Sequence, residues 1–158
     1  MARPVRAASS SDLTARLPVP LGASTRVVFF PHPDACDACQ SYGTQLTALQ
    51  DRLAEWDTDV WLVQRSVEDL ADRLATGNSV RVVEDHDGRI RQRCEIGERA
   101  VVVLVADRWG QVWETADGAD QHALPAATAL HDTARFVDLQ CSECEALDQP
   151  VCDWSVIR

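Results

Sequence analysis

The chain has 158 residues, a length typical of one domain, and 46% of them are hydrophobic, which is enough for a packed core. Its longest apolar run, residues 100–106, is far shorter than the ~18 residues that a membrane-spanning helix needs. The 25 acidic residues outnumber the 15 basic ones, and the resulting net charge of −10 disfavours binding to nucleic acid. We therefore expect a soluble globular protein that binds neither nucleic acid nor membranes.

The N-terminal segment, residues 1–20, is rich in Ser, Ala, Pro and Arg and shows no apolar periodicity, so we expect a flexible tail. It has no apolar core of a secretory signal peptide, which predicts that the protein stays in the reducing cytoplasm. We expect one domain over residues 21–140, followed by a cysteine-bearing tail over residues 141–158.

Hydrophobic patterns along the domain predict an alternation of strands and helices. The predicted strands are residues 25–30, 59–64, 79–83, 100–106 and 111–115. The predicted helices are a long one with the apolar stripe Tyr42, Leu46, Leu49, Leu53 and Trp56, two short ones over 67–74 and 89–96, and a last one over 124–137. Strands separated by helices are expected to pair in parallel, and the last two strands to form an antiparallel hairpin. The sequence thus predicts an α/β protein.

Four of the six cysteines form two C-x-x-C motifs, Cys36–Cys39 and Cys141–Cys144. The first motif follows a strand and a proline-containing loop, and it falls in the first turn of the long predicted helix. The positive end of a helix dipole stabilises a thiolate there, and a second cysteine one turn later lies within reach to resolve a mixed disulfide. This pattern predicts redox chemistry in which Cys36 attacks and Cys39 resolves. The alternative is that both are metal ligands or inert helix residues.

The span from Arg26 to Cys144 resembles the thioredoxin-like redoxins, in particular the alkyl hydroperoxide reductase and thiol-specific antioxidant relatives of the peroxiredoxin-like group. The resemblance lies in three segments and in the end of the last helix: Val-Val-Phe-Phe-Pro-His-Pro-Asp-Ala-Cys-Asp-Ala-Cys, Val-Val-Glu-Asp-His-Asp-Gly-Arg-Ile, Val-Val-Val-Leu-Val-Ala-Asp-Arg-Trp-Gly-Gln-Val, and Ala-Arg-Phe-Val-Asp-Leu-Gln-Cys-Ser-Glu-Cys. It implies a thioredoxin-like fold, with a central mixed sheet and helices on both faces.

The motif and the resemblance together predict a thiol–disulfide oxidoreductase that needs no cofactor and uses a thiol electron donor. One alternative is a peroxiredoxin-like thiol peroxidase that reduces a hydroperoxide with Cys36. A second alternative is a non-catalytic redoxin that binds a metal or a partner.

Two positions depart from the related families. Peroxiredoxins have Thr or Ser three residues before the reactive cysteine, where Pro33 stands here, and this substitution predicts slow peroxide reduction. Thioredoxins have a cis-proline before the late central strand, but this chain has no proline between Pro33 and Pro125. At that strand, Arg99 is either the counterpart of the peroxiredoxin arginine beside the thiolate or an ordinary exposed residue.

The C-terminal cysteines leave three interpretations open. Cys141, Cys144 and Cys152, with Cys94 as a candidate fourth ligand, are candidates for a structural zinc site, because a C-x-x-C pair is a common half-site for zinc. They are also candidates for a second dithiol that exchanges electrons with the first motif. The third interpretation is that they are ordinary thiols.

Overall fold

The computed structural model describes residues 24–34, 36–65, 80–94, 96–108, 112–117 and 124–144. The strands are β1 (Thr25–Phe30), β2 (Thr58–Gln64), β3 (Val80–Glu84), β4 (Val102–Ala106) and β5 (Val112–Asp117). The helices are α1 (Asp37–Ala48), α2 (Gln50–Ala54), α3 (Arg89–Arg93) and α4 (Ala127–Cys144). The predicted N-terminal tail and the predicted helix over 67–74 lie outside the described residues.

The strands form one mixed sheet in the order β3-β2-β1-β4-β5. β2 pairs in parallel with both β1 and β3, as the alternating pattern predicts. β4 pairs antiparallel with β1 and with β5, which confirms the predicted hairpin. The sheet therefore combines a parallel half with an antiparallel half, and β1 lies at its centre.

Both faces of the central strand are buried, as its continuous apolar run predicts. Val27 and Phe29 project into a core that the helices α1, α2 and α4 cover. Val28 and Phe30 project to the opposite face, where Ile90 of α3 packs with them. Helices therefore cover both faces of the sheet, in agreement with the prediction. No helix among the described residues has the length and apolarity to cross a membrane.

The long helix predicted up to Trp56 is divided in two. At Leu49 the backbone departs from the helix, with φ −91° and ψ −4°, and its N–H donates to the Leu46 carbonyl at 3.1 Å. The apolar stripe continues across this break, because Leu46 and Leu53 are both fully buried. Packing on the sheet therefore preserves the predicted face although the helix itself is interrupted.

The direction of β4 corrects the expectation of parallel pairing for strands that a helix separates. Phe30, at the end of β1, pairs with Val102, at the start of β4. The connecting residues, which include the short helix α3, therefore stay at the edge where the parallel strands end. A parallel β4 would require the chain to cross the whole length of the sheet.

Candidate active site: a cysteine pair at the start of a helix

The first C-x-x-C motif lies at the edge of the sheet where β1 ends. Cys36 is the N-cap of α1, with extended backbone angles of φ −142° and ψ 116°. Its carbonyl accepts the first helical hydrogen bond, from the N–H of Gln40 at 2.9 Å. The sequence places both cysteines in the first helical turn, whereas the structure has Cys36 immediately before that turn and Cys39 within it.

The structure brings three chemically reactive side chains together, and we refer to His32, Cys36 and Cys39 as the thiol site. One ring nitrogen of His32 and the two Sγ atoms all lie within 4.8 Å of one another. Both cysteines are thiols in this structure. Such a set of one imidazole and two sulfur atoms has the donor types for thiol redox chemistry or for binding a soft or borderline metal ion.

The two cysteines differ in exposure and in protonation. Cys39 is 5% exposed, whereas Cys36 is half-buried. Burial raises the pKa of the Cys39 thiol to about 11 although the backbone N–H of His32 donates to its Sγ at 3.4 Å, and a hydrogen bond to the Cys36 side chain raises this pKa further. At neutral pH Cys39 therefore holds its proton, and Cys36 is the more accessible sulfur.

Arg91 organises the backbone around the thiol site. Its guanidinium donates to the carbonyl of Pro31, next to His32, and to the carbonyls of Gly97 and Ala100 at 3.1 and 2.9 Å. It therefore ties the loop before the cysteines to the loop before β4. Burial lowers the pKa of Arg91, while the nearby Asp85 carboxylate acts in the opposite direction.

The sequence does not single out Arg91, and its candidate for a position beside the thiols is Arg99. Arg99 is exposed, which agrees with the ordinary interpretation, whereas Arg91 is 9% exposed. Arg91 stands among the similar residues of a short polar helix, so the pattern of the chain does not distinguish it. The sequence feature that could have indicated this helix start is Asp85. Its carboxylate accepts hydrogen bonds from the backbone N–H groups of Ile90 and Arg91 at 2.9 and 3.0 Å and so fixes the start of the helix.

A small apolar pocket of about 190 Å³ adjoins Cys39. Its lining includes Phe29, Tyr42, Val101 and Leu124, so it lies between β1, α1 and the segments that precede β4 and α4. The hydroxyl of Tyr42 donates to the Pro125 carbonyl at 2.8 Å and fixes the chain just before α4. The pocket therefore provides apolar surface beside Cys39.

The second C-x-x-C motif lies away from the thiol site. α4 begins near the thiol site, beside Tyr42, and Asp138 on its later part pairs with Arg108, beyond the end of β4 at the opposite edge of the sheet. The backbone of Cys141 and Cys144 continues α4 beyond that point, although the sequence shows no periodicity there. Their side chains and the whole of Cys152 lie outside what the structure describes, so the zinc site at these residues stays a prediction.

The cis-proline that thioredoxins have before the late central strand has no counterpart in the described residues before β4. Among the described residues the structure contains no cis peptide bond, and Arg99 and Ala100 lead into the strand. The backbone next to the thiol site is held there by the hydrogen bond from Arg91 to the Ala100 carbonyl. The position is therefore fixed by a side chain rather than by a peptide isomer.

No protein-family model matches the sequence, and the comparison with curated proteins finds no match. Solved structures do match. Peroxiredoxin Q of Xanthomonas campestris has a TM-score of 0.61 at 16% identity, over 79% of this chain and 95% of that chain. The reduced 2-Cys peroxiredoxin of Plasmodium vivax has a TM-score of 0.59 at 16% identity, over 78% and 69%. AhpC of Mycobacterium tuberculosis has a TM-score of 0.57 at 18% identity, over 77% and 71%.

These similarities establish the fold, because the structures share one topology over most of this chain. Since the sequence identities are only 16–18%, the similarities show the fold alone. The chain has the thioredoxin-like fold that peroxiredoxins share, as the resemblance in its sequence implies. Within that fold, a pair of cysteines lies at the start of the helix that follows the central strand.

Proposed function

We propose that the protein is a thiol peroxidase that reduces a hydroperoxide with Cys36 and resolves the product with Cys39. The observation that supports this most is the thiol site itself: an accessible sulfur and a buried, protonated sulfur lie side by side in a fold shared with peroxiredoxins. This function is the first alternative that the sequence leaves open, and the similarity to solved structures of peroxiredoxins favours it over the thiol–disulfide oxidoreductase.

The proposed reaction has two steps within the chain. The Cys36 sulfur attacks one peroxide oxygen, so that an S–O bond forms, the O–O bond breaks, and an alcohol or water leaves with a proton. The Cys39 sulfur then displaces the oxygen of the resulting sulfenic acid as water, and a Cys36–Cys39 disulfide forms. Two thiols of an external donor reduce this disulfide and become a disulfide themselves. The cycle needs no cofactor.

The surrounding residues have positioning roles in this proposal. Arg91 holds the loop that precedes the cysteines, and His32 donates a backbone hydrogen bond to Cys39. The apolar pocket beside Cys39 favours a hydroperoxide with a small organic group, because its volume of about 190 Å³ is below that of most ligand pockets. Pro33 offers no hydroxyl to orient the peroxide, so we expect slow turnover.

The test is consumption of hydrogen peroxide and of a small organic hydroperoxide by the reduced protein with excess dithiol. We expect Cys36→Ser to reduce the rate to that of the uncatalysed reaction. Cys39→Ser, reduced and then separated from the dithiol, should react once with the hydroperoxide and stop at a sulfenic acid on Cys36, which dimedone labelling and mass spectrometry detect. Cys94→Ser is the matched control, because Cys94 packs on the opposite face of the sheet. Unchanged turnover in Cys36→Ser would reject the proposal.

A second candidate is the thiol–disulfide oxidoreductase that the sequence predicts first. It is favoured by the spacing of the motif, because two residues separate the sulfurs and Cys39 can resolve a mixed disulfide as easily as a sulfenic acid. Single-turnover oxidation of the reduced protein distinguishes the two candidates. A Cys36–Cys39 disulfide that forms faster with oxidised glutathione than with an equal concentration of hydroperoxide favours the oxidoreductase.

A further inference from the structure

We propose that the reduced thiol site binds a Zn²⁺ ion through His32, Cys36 and Cys39. Their three ligand atoms already lie within 4.8 Å of one another. Two thiolates and an imidazole are ligands that zinc commonly has in proteins, and three protein ligands leave a fourth position for water or an external ligand. Bond lengths of about 2.3 Å to sulfur and about 2.0 Å to nitrogen place tetrahedral ligands about 3.5–3.8 Å apart, so the three atoms need to approach one another by about 1.3 Å at most.

Two of the three ligands lie where the backbone permits this approach. Cys36 is the N-cap, with extended backbone angles, and its side chain makes no capping hydrogen bond to α1. His32 lies on the loop between β1 and α1 and is half-buried. Cys39 belongs to the helix and is the fixed point of the site. Rotation of two non-helical side chains toward one helical sulfur therefore completes the ligand set without moving an element.

The surroundings support a metal-bound form of the site. The backbone N–H of His32 donates to Cys39 Sγ, and a thiolate that ligates a metal still accepts such a hydrogen bond. Arg91 fixes the Pro31 carbonyl beside His32, so the loop that contains the histidine is anchored. Asp34 and Asp37 flank Cys36 and are both exposed, and their carboxylates attract a cation.

Zinc binding and disulfide formation exclude each other, because each uses both sulfur atoms. When a hydroperoxide takes two electrons from the two thiolates and receives two protons, it becomes an alcohol and water, a disulfide forms, and Zn²⁺ is released. This consequence rests on the proposed function, whereas the zinc site itself needs only reduced cysteines. Bound zinc thus protects the dithiol until an oxidant removes it.

The experiment uses the full chain, reduced and freed of metal with a chelator, then titrated with Zn²⁺ or with Co²⁺ as a spectroscopic probe. We expect one ion that requires both cysteines, with thiolate-to-cobalt charge-transfer absorption that Cys36→Ser and Cys39→Ser each remove. His32→Ala should weaken zinc binding at least about 100-fold, since even outer partners of a ligand cost 10–100-fold. The matched control is Cys141→Ser/Cys144→Ser, which should retain this ion.

A second measurement needs no variant. Zn²⁺ should slow the alkylation of Cys36 and Cys39 by N-ethylmaleimide in the native chain, as quantified by peptide mass spectrometry, and hydrogen peroxide should release the ion. No bound ion, or an ion that only the Cys141→Ser/Cys144→Ser variant loses, would overturn the zinc proposal. Zinc binding without peroxide consumption would instead reject the proposed function alone, and peroxide consumption without zinc binding would reject the zinc site alone.

Discussion

Arg91 links three backbone carbonyls around the thiol site, and its removal leaves all of them without that donor. Because hydrogen bonds from a buried charged group are expensive to lose, we expect Arg91→Met to lower the free energy of unfolding by about 2–4 kcal/mol. Urea denaturation measures this change. The matched control is Arg89→Ala on the same helix, where the exposed side chain pairs with exposed Asp87 and a change below about 0.5 kcal/mol is expected.

Cys39 makes the stability of the protein decrease with rising pH in the alkaline range. Burial raises the pKa of this thiol from 9.0 to about 11, so the folded protein keeps a proton that the unfolded chain releases. The contribution is complete below pH 9.0 and is lost as the pH rises to about 11. We expect the stability difference between the native chain and Cys39→Ser to shift against the native chain over this interval. Urea midpoints of both proteins at about pH 8 and about pH 10.5 measure it; a constant difference would contradict the assignment.

Single residues show what the sequence can and cannot reveal about the site. Cys36 and Cys39 are recognisable because a C-x-x-C pair after a strand and before an amphipathic helix is a local pattern. The contribution of Arg91 arises from carbonyls up to 60 residues away along the chain, which no local pattern contains. His32 is only four residues from Cys36, so the sequence itself makes it a candidate neighbour of the thiols, and the fold of the loop brings its ring to both sulfur atoms.

At the scale of elements, α3 depends on a cap from a side chain outside the helix. Its N-cap is Gly88, with φ 70°, and Gly88 has no side chain to accept the free N–H groups. Asp85 accepts two of these N–H groups instead, from Ile90 and Arg91. The same helix places Arg91 where it bonds to the Pro31 carbonyl, so this five-residue helix helps to hold the loop that precedes the cysteines.

We therefore expect Asp85→Ala to destabilise the protein by about 1–2 kcal/mol, the usual cost of losing a helix cap. It should also change the rate at which Cys36 reacts with an alkylating reagent, because Arg91 no longer fixes the loop before it. Asp87→Ala is the control, since Asp87 is exposed and its hydrogen bond to the Arg89 N–H is longer, at 3.2 Å. Equal effects of the two substitutions would contradict a special role for Asp85.

The boundaries of helices and strands agree with the sequence-based predictions where a continuous run of residues is buried. They differ from those predictions where tertiary packing determines the backbone conformation. The fully buried strand β1 matches the prediction residue for residue, because its β-branched and aromatic residues Val27, Val28, Phe29 and Phe30 form an uninterrupted apolar run. The predicted long helix instead divides at Leu49, because the apolar stripe is compatible with one straight helix and with two shorter ones. Whether β4 runs parallel or antiparallel to β1 depends on which end of the sheet the chain has reached when the strand begins. Hydrophobic periodicity contains no information about that position.

At the scale of the whole molecule, the two C-x-x-C motifs lie near opposite edges of the sheet. The thiol site lies at the edge where β1 ends, and α4 begins there and runs toward the edge where β1 begins. Cys141 follows the first residue of α4 by 14 positions, or about 21 Å along a helix that rises about 1.5 Å per residue. A disulfide requires Cα atoms about 4.4–6.8 Å apart. This separation disfavours a direct exchange of electrons between the two motifs of one chain.

We therefore expect mild oxidation of the full chain to form the Cys36–Cys39 disulfide and none between Cys36 and Cys141 or Cys144. The Cys39→Ser variant makes the test stringent, because Cys36 then has lost its near partner and any second thiol within reach would replace it. Peptide mapping of the oxidised monomer under non-reducing conditions should find Cys36 as a sulfenic acid or joined to an added small thiol. A link from Cys36 to Cys141 or Cys144 within the monomer would show that the end of α4 reaches the thiol site. In that case the second motif would be the internal electron donor, which is one of the three roles that the sequence leaves open for it.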